Sequence, residues 1–308
     1  MSATPALTTI PLHGQISDLL EIVERRMAEL VALPEPDSAD LRTDSAHAAA
    51  AYHLLSGGQR VRARLALGAG LALGLTPVDA VTIAACAELL HNASLIHDDL
   101  QDRDETRRGV KTVWAACGDN VAICAGDLLL SAAFCSLARF SDAAVIPHLL
   151  SLVHTRTAAA IHGQCADLAT QSDSTKNIAT YERIVVAKSG ALLSLPLELA
   201  LVGSGQTQWA GTARRAAEAL AIGYQIVDDL DDFAKDTAHG PRSHSLNVCL
   251  MFNADHGGQA GDAENVSRDA ARKLGQSHLL AAVALAETLP AETGALLVEL
   301  ASRLAGKL

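Results

Sequence analysis

Apolar residues recur at three- and four-residue intervals through most of this chain, and a two-residue alternation persists nowhere, so the pattern predicts an all-α fold. The first helical stretch carries Ile16, Leu19, Leu20, Ile22, Val23 and Met27 and reaches about Leu33, where Pro34 and Pro36 stop it; residues 1–14 read as a loose arm. Ser45 stands where it can cap a helix through residues 48–55, which Ser56-Gly57-Gly58 then breaks. Thr76-Pro77-Val78-Asp79 combines an N-cap, a proline at the first helical position and an acid in the first turn, and opens a helix running to about Asp102. Further helices are predicted over residues 120–140, 142–169, from Tyr181 onward, and over 212–234, 263–289 and 291–304, with a polar turn at 170–177 and a Gly-rich surface loop at 255–262. Nothing Pro- or Ser-rich divides the middle of the chain, so 15–308 reads as one domain.

Two of these helices end in carboxylates. The first closes on Asp98-Asp99-Leu100-Gln101-Asp102, the second on Asp228-Asp229-Leu230-Asp231-Asp232. These seven aspartates supply most of the formal charge of −11, so the acidity is local. Asp98 and Asp102 stand four apart, which places them on one helical face about 6 Å apart along the axis, a spacing that suits shared divalent cations. Carboxylates at a helix C-terminus also oppose its dipole, which favours a metal site over a solvated acidic face. Two such clusters facing one another make a cage.

The remaining charge excludes a nucleic-acid partner, since a phosphate backbone needs positive charge spread along a groove. The six cysteines (Cys86, Cys117, Cys124, Cys135, Cys165, Cys249) form no Cys-x-x-Cys pair, and reduced, buried thiols in a cytoplasmic protein are expected. The first residues lack a basic region followed by an apolar one, and no apolar run reaches the ~18 residues needed to span a bilayer, so a soluble chain is expected.

Gly57-Gly58 ahead of Gln59-Arg60-Val61-Arg62-Ala63-Arg64 admits two readings: an anion site at a helix N-terminus, or a C-cap glycine before a solvated basic turn. Lys188, on an apolar helix, needs an anion or an exit to solvent. His97 reads as a satisfied core residue. Gln164 and Asp167 share a helical face and read as a hydrogen-bonded surface pair.

With these motifs in place, the chain from residue 57 to about 236 resembles the trans-isoprenyl diphosphate synthases, the polyprenyl synthetase family, whose two aspartate-rich motifs hold magnesium. The resemblance implies a helical bundle around a deep central cavity, a homodimer, and about three Mg2+ ions with substrate bound. It assigns metal binding to Asp98, Asp99, Asp102, Asp228, Asp229 and Asp232. Arg107 and Lys188 with Ser189 meet the allylic diphosphate, and Gln225 lies near it. Arg62, Arg108, His91 and the region of Gln59 meet isopentenyl diphosphate. Asp98, Asp99, Asp102, Lys188, Asp228 and Asp229 are thereby the catalytic set, and Gly126-Asp127-Leu128-Leu129 matches a mainly structural signature.

The implied reaction is ionisation of an allylic prenyl diphosphate, geranyl or farnesyl, attack by isopentenyl diphosphate, and loss of a proton to the released diphosphate, with no protein base. Ala93 and Ser94, small residues one turn before Asp98 where a bulky aromatic stops growth at farnesyl, imply geranylgeranyl diphosphate or somewhat longer. Two departures stand out. Gln59 replaces the family lysine, with Ala63 in place of a proline, and the lid elements after Asp236 reduce to Lys235, His239-Gly240-Pro241-Arg242 and Ser245-Leu246-Asn247, where Arg242 is the substitute for a missing lysine. Three other readings compete. A class I terpene cyclase needs an Asn/Asp-x-x-Ser/Thr-x-x-x-Glu pattern that Asp228–Asp232 lacks. A regulatory subunit usually loses part of an aspartate motif, and both are whole. A structural cation-binding protein leaves Arg62, Arg107, Arg108 and Lys188 without a purpose.

Overall fold

The computed structural model describes residues 12–32, 45–170, 177–238, 246–256 and 260–308. Expectations for Pro34 and Pro36, the polar turn after Thr170, His239–Arg242 and Ser245 lie outside them, as does most of the N-terminal arm. The architecture is all-α, with a single two-residue hairpin among the described residues. The chain groups into two compact units, Met1–Leu71 with Thr76–Ser141 and Ala72–Leu75 with Asp142–Leu308.

The first unit is built on α4 (Pro77–Asp102), against which α1 (Leu12–Val31) and α6 (Asp119–Ser136) pack, with α2 (Ala46–Leu55), α3 (Val61–Ala72) and the short α5 (Val113–Cys117) completing it. In α1 the stripe Ile16, Leu20, Val23, Met27 and Val31 is buried, while Ile22 stays at the surface. Both predicted caps form: Ser45 accepts the Ala48 N–H at 3.2 Å and Thr76 accepts that of Asp79 at 3.1 Å. Tight contacts fix the α4–α6 pair, since a Cβ on Gly126 would come within 2.1 Å of the His97 imidazole. The Gly126 signature is therefore what lets His97, half-buried, lie on α6.

The second unit holds α7 (Ile146–Thr170), α8 (Ile178–Val185), α9 (Ala191–Gly203), α10 (Ala210–Ala238), α11 (Val248–His256), α12 (Ala260–Ala286) and α13 (Ala295–Ala305). Its core is α9, buried continuously from Ala191 to Leu201, with α7 and α10 against it. A π-helical turn at Val186–Gly190 joins α8 to α9, and the Ala191 N–H reaches back five residues to the Val186 carbonyl. Gly163 on α7 makes room for this turn, because a Cβ there would sit 2.3 Å from the Lys188 backbone nitrogen. The loop expected at 255–262 is corrected in part: Asp255 and His256 end α11 and Ala260–Asp262 open α12, with 257–259 outside the described residues.

Two composition-based expectations are also corrected. Helical segments Asp119–Arg139 and Ile178–Gly203 are long and apolar enough to cross a membrane by length and composition, because the polar residues that interrupt the apolar runs are too few to bring the average down. The apolar window of the second is 78% buried inside the fold, as in a core helix, and that of the first 44%. Only Cys86 and Cys249 are buried; Cys124, Cys135 and Cys165 are exposed, since α6 and α7 each leave one face uncovered, Ile123 and Ile161 included. None of the six is in a disulfide.

Candidate active site

In the first unit α4 ends as the sequence implied, with no basic residue in its last turn to offset the carboxylates against the helix dipole. Arg103 caps it in a left-handed conformation (φ 60°) and holds Asp119 at 2.9 Å. The three aspartates then divide. Asp98 is half-buried and Asp102 exposed on one face, whereas Asp99, one residue and about 100° around the helix, is buried. Its Oδ1 accepts Arg107 Nε at 2.8 Å and Arg107 Nη2 at 2.7 Å. Burial pushes the Asp99 carboxyl up, and Arg107 opposes that shift. Asp99 thus anchors Arg107 in this structure and stands apart from Asp98 and Asp102.

Arg107, Arg108 and Gly109, read from sequence as a loop, form a tight hairpin in which Thr106–Arg107 pairs with Val110–Lys111. Arg108 (φ 54°) and Gly109 (φ 81°) both adopt left-handed backbone, the signature of a type I′ turn. The Arg108 guanidinium lies on the glycine pair: it donates to the Gly57 carbonyl, and a Cβ on Gly58 would be 2.8 Å from it. Gly57-Gly58 therefore serves chiefly as a platform for Arg108, a third role beside the two readings left open above.

Arg60 is the residue that the sequence did not reveal. It is buried with φ 50°, donates to the Leu54 carbonyl at 2.8 Å and Glu24 at 3.2 Å, and lies 3.9 Å from the buried Glu88 of α4. Glu88 also accepts the Ala63 N–H at 3.0 Å, which ties α3 to α4. A lone acid in the apolar run of α4 was the available signal, because a buried carboxylate needs a countercharge. Arg62 is half-buried, and Gln59 is exposed with its carbonyl accepting Arg64 Nε at 3.3 Å.

His53 and His91 report the field these arginines create. Burial, then Arg108 and Arg107, lower His53 to about 4; burial, then Arg62, Arg108 and Arg107, push His91 well below the usual histidine range. Both rings are neutral at pH 7, and buried His53 Nε2 has no hydrogen-bond partner. Several guanidiniums close enough to two buried histidines to add to the effect of burial make an anion-binding environment. Ala93 is buried and Ser94 half-buried, its hydroxyl donating to the His91 carbonyl at 2.8 Å.

In the second unit α10 repeats the division. Asp228 is half-buried, Asp231 and Asp232 are exposed, and Asp229 is buried. Asp229 Oδ2 accepts the Tyr181 hydroxyl at 2.9 Å and the Val248 N–H at 2.8 Å; its Oδ1 accepts Gln225 Nε2 at 2.9 Å. Gln225, expected beside the diphosphate, is thus turned to Asp229. Lys188, in the π-turn, meets Asp167 of α7 at 2.8 Å, so Asp167 pairs with a lysine on the neighbouring helix as well as sharing a face with Gln164. Ser189 is half-buried beside it.

Burial, then the like charges of Asp229, Asp232 and Asp231, raise Asp228 to about 6. Crowded carboxylates with this deficit of countercharge fit a divalent cation. Among the described residues no three His, Cys, Asp or Glu side chains converge to hold a metal unaided. Mg2+ binds through one or two carboxylates and completes its shell with water and phosphate. A test follows from the sign of the shift. The folded carboxyl titrates above its unfolded value, so in metal-free protein Asp228 contributes a gain in stability as the pH falls from about 7 toward 5, opposed over the same range by the neutral His53 and His91, whose folded values are lowered. Melting curves of wild type and Asp228→Asn should therefore differ, the variant losing more stability than the wild type as the pH falls, and parallel profiles would contradict the assignment.

Comparison with known proteins places these motifs among relatives. A family model described as Polyprenyl synthetase matches residues 44–242. The short chain isoprenyl diphosphate synthase of Methanothermobacter thermautotrophicus is 30% identical over 227 residues, 72% of this chain and 68% of its own. The (2E,6E)-farnesyl diphosphate synthase of Mycobacterium bovis is 33% identical over 218 residues, covering 66% of this chain and 59% of its own length. The crystal structure of geranylgeranyl pyrophosphate synthetase from Pyrococcus horikoshii matches with a TM-score of 0.82 at 26% identity, over 96% of this chain and 98% of that one.

Proposed function

Because the chain belongs to the polyprenyl synthetase family of prenyltransferases, we propose that it joins isopentenyl diphosphate to an allylic prenyl diphosphate, geranyl or farnesyl, to give a longer trans-prenyl diphosphate. The observation that carries this reading is the gathering of Arg60, Arg62, Arg107 and Arg108 around the buried His53 and His91, beside an acid-ended helix. An anion site next to crowded carboxylates is what a cation-bound diphosphate and a second, free diphosphate require.

In this account Asp98 and Asp102 hold Mg2+, as do Asp228 and Asp232. Mg2+, when bound, neutralises charge on diphosphate oxygens. Arg107, held by Asp99, and Lys188, held by Asp167, are donors to the allylic diphosphate. Arg62, Arg108 and His91 orient isopentenyl diphosphate, His91 as a neutral donor. Gln59 contributes at most a neutral hydrogen bond where a lysine would give a charge-assisted one about twice as strong, so the homoallylic substrate binds more weakly than a lysine would hold it.

Ala93 and Ser94 leave space one turn above Asp98, and we take the product to be geranylgeranyl diphosphate. The uncovered apolar face of α6, with Ile123 47% exposed, supports a homodimer as the working form. Purified protein of measured solution mass, given farnesyl diphosphate, labelled isopentenyl diphosphate and Mg2+, is expected to be dimeric and to release a C20 diphosphate. Hydrocarbon release would point to a cyclase, silence of the protein alone to a subunit, and a product that stops at farnesyl would refute the length assignment.

A further inference from the structure

The buried carboxylate of Asp229 does different work from its neighbours, and this inference rests on the function proposed above. A carboxylate offers about four lone-pair sites, and three hydrogen bonds already engage this one: from the Tyr181 hydroxyl on α8, the Gln225 amide one turn earlier on α10, and the Val248 backbone N–H that opens α11. The backbone of the same residue is held too, since the Asp229 carbonyl accepts Asn247 Nδ2 at 2.9 Å. Asn247 in turn accepts the Cys249 N–H at 2.9 Å through Oδ1, which caps the first turn of α11. Asp229, Asn247 and Val248 are all buried, so these bonds face little competition from water.

We propose that Asp229 is a positioning residue, not a cation ligand: with Tyr181 and Val248 it forms a latch that joins α8, α10 and the start of α11. The latch fixes the rotation of α10 at the residue next to Asp228, and so the direction in which Asp228 and Asp232 present their carboxylates. Three elements converge on one side chain, while Asp228 beside it is half-buried and Asp231 and Asp232 are exposed. The arrangement mirrors Asp99, whose buried carboxylate anchors Arg107 while Asp98 and Asp102 remain at the surface. Each acid pair thus splits into one outward and one inward carboxylate.

Full-length protein carrying Asp228→Asn, Asp229→Asn or Tyr181→Phe separates the roles, with Mg2+ and inorganic pyrophosphate as the probe. Calorimetric titration is expected to show Mg2+-dependent pyrophosphate binding weakened at least about 100-fold by Asp228→Asn, and only about 10-fold by Asp229→Asn and by Tyr181→Phe. Adding Tyr181→Phe to Asp229→Asn should weaken it little further, because both changes open the same latch. Amide exchange at Val248 should accelerate about tenfold or more in Asp229→Asn, a readout independent of catalysis. Loss of pyrophosphate binding in Asp229→Asn as complete as in Asp228→Asn, or unaltered exchange at Val248, overturns the latch. Absence of Mg2+-dependent binding in the wild-type protein overturns the proposed function instead, while the exchange result still tests the latch.

Discussion

Replacing Asp98 by Ala is expected to lower kcat by about 10^3-fold, roughly 4 kcal/mol of transition-state stabilisation, while the helical fold survives. The reason lies in the end of α4. Asp98 and Asp102 stand one turn apart on one face at the C-terminal end of the helix, a spacing that suits a shared cation. Without Asp98 the first cluster keeps only Asp102 on that face, because Asp99 is buried and committed to Arg107. Stability should change by no more than about 1 kcal/mol, since a carboxylate at a helix C-terminus gains nothing from the dipole. Steady-state kinetics beside circular dichroism will decide: near wild-type turnover would remove Asp98 from the site.

The largest effect on stability is expected at Glu198, which no motif marked. Glu198 lies in the buried run of α9 and is 2% exposed; Arg156 of α7 meets it twice, Nε to Oε1 at 2.7 Å and Nη2 to Oε2 at 2.6 Å. A bidentate pair in this setting balances a large desolvation cost against its own attraction, so removing one partner is far worse than removing both. Glu198→Leu should destabilise the protein by about 3 kcal/mol, because it leaves the half-buried Arg156 guanidinium without its carboxylate. Arg156→Met combined with Glu198→Leu should recover most of that loss. Denaturant melts of the two variants provide the check, and a double variant no more stable than the single one would contradict the account.

What could be read from the sequence divides along physical lines. Thr76, Pro77 and Asp79 announced the start of α4, Ser45 that of α2, and the spacing of Ile16, Leu20, Val23 and Met27 the buried side of α1, because caps and periodicity are local properties. Fold class followed from them. The inward turn of Asp99 and Asp229 was half legible: adjacent residues on a helix point about 100° apart, so an Asp-Asp pair cannot share one face. Their partners were not legible, since Arg107, Tyr181 and Val248 arrive from other elements.

Other features escaped because their signals were too short or too indirect. A hairpin with two residues in each strand is below the length at which alternation registers, and a π-turn adds only one residue to a helix that otherwise looks regular. The left-handed backbone of Arg60 has no residue-type signature. Thiol exposure at Cys124, Cys135 and Cys165 depends on which faces of α6 and α7 are covered, which composition does not report.

A crystal structure of the protein with Mg2+ and a non-reactive allylic thiodiphosphate addresses the central claim most directly. The account predicts diphosphate-bound cations with oxygen ligands from Asp98 and Asp102, and likewise from Asp228, with Asp229 still bonded to Tyr181 and Val248. A cluster that binds no cation, or Asp229 as a direct cation ligand, would contradict it.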